Sequence, residues 1–426
     1  MHGQVLNITK KVRTKINVLL FVIFVNTVLF SVFLPSCLLA YELTGYVNAA
    51  GRYFFNEALF SGQQSSSMSI AAQPELYHEW GNGSSFIATP FVRIDSVDAE
   101  RSHFDIRELI YQQAYETWEL DIGIGKVFWG VTEFVHLVDI INQTDLVEDL
   151  DGEEKLGQPM AHLSLAREWG VVDMFILPFF LERTFPGRRG RLRSGIVVDT
   201  DNSKYESSAE QYNIDLALRY SNTIGEWDFG IYHFAGTGRE PTFSLKINSG
   251  GRSRLTPYYD QINQTGIDVQ SVYGSWLYKL EALHRSGQGE SFFAYVGGFE
   301  YTFINIASSG IDLGVIGEWA YDDRDNECTT GFDNDRDNKC TTGFDNDLMM
   351  GARMAFNDAA STEALMGMIQ DINSTGTTFT LEASTRITNH WRISINAFFI
   401  LDSSSSDIIY DLRNDDYLQL ELFYYF

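Results

Sequence analysis

From residue 42 to the C terminus, apolar and polar side chains alternate in segments of about ten residues. This is the period of a strand with one face toward a nonpolar environment and the other toward water. The pattern is cleanest at the chain end, where Leu418, Leu420, Leu422, Tyr424 and Phe426 share one face and Gln419 and Glu421 the other. Trp391, Ile393, Ile395, Ala397, Phe399 and Leu401 alternate in the same way with Arg392, Ser394 and Asn396. Eighteen such segments can be marked, at 42–57, 68–80, 84–96, 103–116, 118–128, 160–168, 170–178, 208–221, 226–236, 253–269, 272–286, 290–304, 309–321, 347–357, 363–372, 376–387, 390–401 and 415–426. Sixteen is the alternative count. The alternation slips near Arg107 and Glu108, where a bulge is expected.

The connections follow a rule of their own. Short ones, such as 81–83, 168–170, 222–225 and 388–390, fall on one side of the strand array, and long ones, at 129–159, 179–207, 237–252, 322–346 and 402–414, on the other. Membrane barrels are joined in this way, with tight turns inside and loops outside. Within the first long connection Val131, Phe134, Val135, Leu137, Val138, Ile140 and Ile141 recur at helical spacing before an acidic run. The expected fold is all-β, an antiparallel transmembrane β-barrel of about eighteen strands. Its third external loop, part helical, folds into the lumen.

A soluble sandwich could show the same alternation, but aromatic residues gather at strand ends, at Trp80, Trp118, Trp227, Trp319 and Trp391, as in the girdles of a bilayer interface. Charges keep to the opposite strand face: Arg93, Glu119, Asp121, Arg219, Lys279, Glu281, Arg285, Arg353, Glu382, Arg386 and Arg392. Burying so many charges without water is prohibitive, so they predict a hydrated lumen.

Residues 1–40 differ in kind, with Lys10, Lys11, Arg13 and Lys15 before an apolar run from Ile16 to Leu34, and read as an export signal peptide ahead of a barrel at 41–426. Losing four basic and no acidic residues with that segment takes the net charge from −26 to −30. Such a chain repels nucleic acid. Cys328 and Cys340 would lie in an exported protein, where a disulfide is permitted.

Three loops carry candidate chemistry. In the first, Glu133, Asp139, Asp145, Glu148, Asp149, Asp151, Glu153 and Glu154 are expected to line a constriction and favour cations. In the second, Arg183, Arg188, Arg189, Arg191 and Arg193 could face that loop across the pore, bind lipopolysaccharide phosphate, or form a solvated surface loop. The third is a tandem repeat, DRDNECTTGFDN followed by DRDNKCTTGFDN. Its Asp333, Asp335 and Asp337 open like a calcium loop but lack the glycine and the final glutamate, so calcium is the one cofactor considered.

The terminal pattern ending in Phe426 resembles the C-terminal assembly signal of Gram-negative outer-membrane barrels. The position and length of the third loop resemble general porin architecture. The resemblance implies a porin-like protein of the outer membrane, with lipid, lipopolysaccharide, the barrel assembly machinery and small solutes as partners, and homo-oligomers as one form. The expected function is passive diffusion of small hydrophilic solutes with weak cation preference, and not catalysis. An outer-membrane enzyme using His136 with Glu133 and Asp139, or His103 with Asp105, and a hydrophobic-ligand channel are the alternatives.

Overall fold

The computed structural model describes residues 41–247, 251–324, 344–405 and 407–426. Its strands are β1 (Glu42–Phe54), β2 (Ser66–Trp80), β3 (Ser84–Asp95), β4 (Phe104–Tyr115), β5 (Trp118–Gly125), β6 (Gln158–Arg167), β7 (Gly170–Leu177), β8 (Lys204–Tyr205), β9 (Asp215–Ile224), β10 (Trp227–Thr237), β11 (Thr242–Ile247), β12 (Ser253–Tyr259), β13 (Gln261–Tyr273), β14 (Trp276–Gly287), β15 (Gly289–Phe303), β16 (Asp312–Asp322), β17 (Asn346–Ala355), β18 (Glu363–Asp371), β19 (Thr377–Arg386), β20 (Trp391–Asp402) and β21 (Tyr417–Tyr425). Eighteen of them form one sheet, and β8, β11 and β12 form a small separate one. Antiparallel pairing of β1 with β21, with Gly51 opposite Leu420, closes the large sheet into a barrel and leaves it no edge.

The eighteen alternating segments are the barrel strands, with two differences. The segment expected at 253–269 is two elements: β12 belongs to the small sheet, and only from Gln261 does the chain enter the barrel. The strand expected from 208 begins at Asp215, because the preceding residues are spent on the β8 bridge and a 3-10 turn at Glu210–Tyr212. Near Arg107 the expected bulge is present: Thr89 pairs with Glu108 and Pro90 with Ile106, so Arg107 has no partner in the register. The extra residue turns the Arg107 side chain inward, where it is 1% exposed.

Alternation sorts the side chains into two environments. Val47, Tyr53, Ile70, Ile94, Leu218, Leu280, Val315, Leu348, Leu418 and Leu420 are exposed on the outer wall, while Asn48, Arg52, Arg93, Gln264, Glu281, Glu318 and Gln419 are buried on the inner one. Six of the eight tryptophans (Trp80, Trp118, Trp169, Trp227, Trp276 and Trp391) sit at the rim carrying the short turns. They mark one bilayer interface.

The third loop, residues 126–157, contains no helix. Its amides bond to carboxylates in place of carbonyls four residues back. Trp129 and Gly130 N–H donate to Asp139 Oδ1 at 2.7 and 3.1 Å, Val131 and Thr132 to Glu281 Oε1 at 2.6 and 3.0 Å, and Glu133 and Phe134 to the two oxygens of Glu318 at 2.8 and 3.2 Å. The apolar residues spaced like a helix face instead meet successive sectors of a curved wall. Phe134, Val135 and Leu137 pack on Val296, Ala320 and Met349, whereas Trp129, Val138, Ile140 and Ile141 pack on Phe175, Leu177, Tyr232, Phe234 and Ile262.

Candidate permeation site

The loop is fastened by wall residues that the sequence shows only as lumen charges. Glu281 is fully buried and also accepts from Thr132 Oγ1 at 2.7 Å and from Val138 N–H at 3.1 Å. Arg239 donates to the Ile141 carbonyl and pairs with Asp215 at 2.9 Å. Phe134 lies over Gly351 and Gly367, which are opposite one another on β17 and β18. A Cβ on Gly367 would stand 2.5 Å from the Phe134 ring. These two glycines make room for the loop.

The eight acidic residues assigned to a constriction divide into two groups. Asp139, Asp145, Glu148 and Glu133 hold the loop in place. Asp139 caps the Trp129–Gly130 turn. Asp145, wholly buried, accepts from Arg107 Nη2 at 2.7 Å and Thr184 Oγ1 at 2.7 Å, and meets His103 Nε2 at 3.1 Å. Burial pushes its carboxyl up, but the hydrogen bond and charge of His103 and the charge of Arg107 outweigh this and hold it well below the usual carboxylate range. Glu148 pairs with Arg93 at 2.7 Å, and Glu133 with Arg353 at 2.6 Å and Lys279 at 3.3 Å.

Asp149, Asp151, Glu153 and Glu154 line a cavity of about 1020 Å³ between the loop and the wall, together with Glu382 and Glu421; Glu133, Asp139 and Glu148 reach the same cavity, and of the eight acids Asp145 alone does not. Asp149 accepts from Leu150 N–H at 2.7 Å, and its ion pair among the described residues is a long one, 3.9 Å, to Arg52. Glu153 meets His136 Nε2 at 2.6 Å, and Glu281 lies 3.9 Å from the other ring nitrogen. Burial would lower the His136 pKa, but these two carboxylates raise it to about 10, so the ring is charged at neutral pH. His136 therefore clamps the loop, and none of its contacts resembles a general base beside a nucleophile.

Of the arginine-rich segment, only Arg183 lines the cavity. Arg191 turns to Asp415 at 2.6 Å and stacks on Phe54, and Arg193 donates to the Ser194 and Arg188 carbonyls over Phe60. Arg188 and Arg189 are exposed. The reading in which the two loops face one another across the pore is thus corrected: Arg191 is taken up by Asp415 and the Asn56 and Asn414 carbonyls of neighbouring loops, and Arg193 by the Arg188, Ser194 and Gly195 carbonyls of its own. The basic wall that does face the cavity combines Arg183 with Arg285 and Arg324. They gather about Glu240, whose carboxyl burial raises but these three charges hold at about 2. Neither Arg324 nor Glu240 carries a motif; the pairing of β10, β13, β14, β15 and β16 side by side brings them together.

The other wall charges lie nearer the short-turn rim or along the ladder. Asp121 and Asp173 flank His162, each at 3.0 Å. Arg219 pairs with Asp268 beneath Trp129. Arg392 donates to Glu363 at 2.9 Å, and Glu119 and Arg386 share their strands' inward parity with Asp121 and Glu382. Asp333, Asp335 and Asp337, both repeat cysteines and the signal segment lie outside the described residues.

A closed antiparallel barrel with a charged interior and an apolar exterior is a transmembrane β-barrel of the outer membrane, porin-like in architecture. No protein-family model matches the chain, and no curated protein sequence does. Among solved structures, a triple mutant of the porin from Rh. blastica aligns at a TM-score of 0.44 and 12% identity, over 91% of this chain and 100% of that one. Wzi from Escherichia coli, described as an outer membrane protein involved in group 1 capsule assembly and a carbohydrate binding β-barrel, aligns at a TM-score of 0.48 and 9% identity, over 88% of this chain and 83% of that one. The strand pairing itself carries the barrel assignment.

Proposed function

We propose that the barrel is a passive channel for small hydrophilic solutes that prefers cations. One observation carries the reading: five carboxylates of the cavity lining, Asp139, Asp151, Glu154, Glu382 and Glu421, form no ion pair among the described residues against two such cations, Lys155 and Arg183, while Arg93, Arg101, Arg239, Arg285, Arg324 and Arg353 around the same cavity are all paired. Uncompensated carboxylates raise the local concentration of cations in a narrow passage with low-dielectric walls. The Arg183–Arg285–Arg324 wall tempers the preference and orients dipolar solutes. The test is the reversal potential of the refolded protein in a planar bilayer under a potassium chloride gradient. The wild type should favour potassium, and joint substitution Asp151→Asn, Glu154→Gln and Glu382→Gln should lower the cation-to-anion permeability ratio several-fold. Anion preference in the wild type would overturn the reading.

A further inference from the structure

The apolar surface of the outer wall is interrupted where β10, β13 and β14 run side by side. His233 stands opposite Thr265, and Thr265 opposite His284, so the three form a row across adjacent strands. All three point away from the lumen, since their chain neighbours Tyr232, Gln264 and Leu283 are buried on the inner face. Asn263, one pleat further toward the loops, extends the patch and is exposed. On both sides the apolar wall resumes at the same register: Leu218 opposite His233 is 52% exposed, and Phe293 opposite His284 is 61% exposed. Ile231 and Ile267 lie beneath the row and are exposed as well.

His233 sits within the membrane, and His284 and Asn263 lie nearer the loop end of the strands, His284 three residues before Gly287 at the β14–β15 turn. His233 follows the rim tryptophan Trp227 by six positions on β10, about 20 Å along the strand at about 3.3 Å per residue. With strands tilted by about 40° this is about 15 Å above the tryptophan rim, inside an apolar belt about 25 Å tall. Hydrogen bonding within the patch is sparse. His233 Nδ1 and Thr265 Oγ1 are 2.9 Å apart, and among the described residues the side chains of Asn263 and His284 form no hydrogen bond, His284 meeting only the Phe293 ring. Lipid acyl chains supply neither donors nor acceptors, so a polar group left unmatched in such surroundings is destabilising.

We propose that this row is the contact surface for a second copy of the chain, two barrels meeting across a two-fold axis. At this depth polar partners come from protein. Neutral His, Thr and Asn each offer both a donor and an acceptor, so the patch can satisfy itself when rotated onto its own image, as an isologous contact requires. It holds no group of fixed charge that would select a phosphate.

The test places a photo-crosslinking benzoylphenylalanine at Ile267, beside the row, or at Leu348 on β17, four strands farther round the wall, and irradiates the full chain in the outer membrane and in liposomes. Position 267 should yield a product of twice the chain mass and position 348 none. Adding His233→Leu, Asn263→Leu and His284→Leu to the chain with the probe at 267 should reduce that product at least tenfold while single-barrel conductance persists. Equal crosslinking from both positions, adducts only with lipid or with a different polypeptide, or a dimer that survives the three leucines would overturn the proposal. If the leucine variant does not assemble, the contrast between positions 267 and 348 in the wild-type background still decides.

Discussion

Replacing Glu281 by alanine should free the lumen segment of the third loop while leaving the barrel intact. The carboxylate accepts from three amides of that loop, Val131 N–H, Thr132 N–H and Val138 N–H, at 2.6 to 3.1 Å, and lies 2.7 Å from Thr132 Oγ1, whose single proton can go instead to the Val135 carbonyl at 2.6 Å. A buried donor left unpaired costs about 1 to 3 kcal/mol, so the three amides set an upper bound of roughly 3 to 9 kcal/mol. Water entering from the adjoining cavity would re-satisfy some of them and bring the loss toward the lower figure. Even that is comparable with the ordering cost of a few loop residues at about 1 to 2 kcal/mol each. Local release is therefore favoured over a strained but closed loop. Hydrogen exchange of the refolded protein should show amides between 129 and 138 opening at least tenfold faster, with β13, β14 and β15 keeping their protection because their ladder bonds are untouched. Single-channel conductance should rise as the loop leaves the cavity. Glu281→Gln should fall between, since its carbonyl still accepts while its amide group faces other donors. Unchanged exchange at 129–138, or loss of protection spread through the neighbouring strands, would refute the assignment of Glu281 as the anchor.

Three further outcomes follow from the same geometry. Gly367→Ala puts a methyl 2.5 Å from the Phe134 ring; overpacking of this kind costs about 1 to 3 kcal/mol, and faster exchange around Phe134 without loss of barrel assembly is the expected readout. Asp151 and Glu154 are both held above the usual carboxylate range, by burial first, then for Asp151 by Asp149 and for Glu154 by Glu148 and Asp145 despite the Arg107 and Lys126 charges. Cation preference should accordingly grow as pH rises from about 4 to about 8, and a reversal potential flat over that interval would exclude these two groups from the passage. Arg107→Ala leaves Asp145 buried beside a single weaker cation, a loss of about 3 to 5 kcal/mol. Because the Asp145 pKa is depressed in the folded chain, its contribution is present above about pH 4 and fades as pH falls through the folded value. The Arg107→Ala penalty in thermal denaturation should therefore be largest at neutral pH and shrink in acid.

The barrel is legible in the sequence because each strand repeats the same period-two contrast and because turn length marks the side of the membrane; no distant partner is needed to see either. Arg107 is instructive in this respect, since the slip in alternation there is a local sign of a bulge whose purpose, turning one guanidinium toward Asp145, is visible only in three dimensions. The third loop shows where the local signal ends. Apolar residues three and four apart imply a helix only if their amides must find partners within the segment, and here Glu281 and Glu318, far away in sequence, supply acceptors on the wall. The acidic run fails to read for the same reason. Asp145 and Asp151 are indistinguishable by type and spacing, yet one is neutralised by His103 and Arg107 while the other faces open cavity. What separates a structural carboxylate from a permeation carboxylate is whether strand register happens to bring a cation within reach, and register is a property of the closed barrel rather than of any one segment.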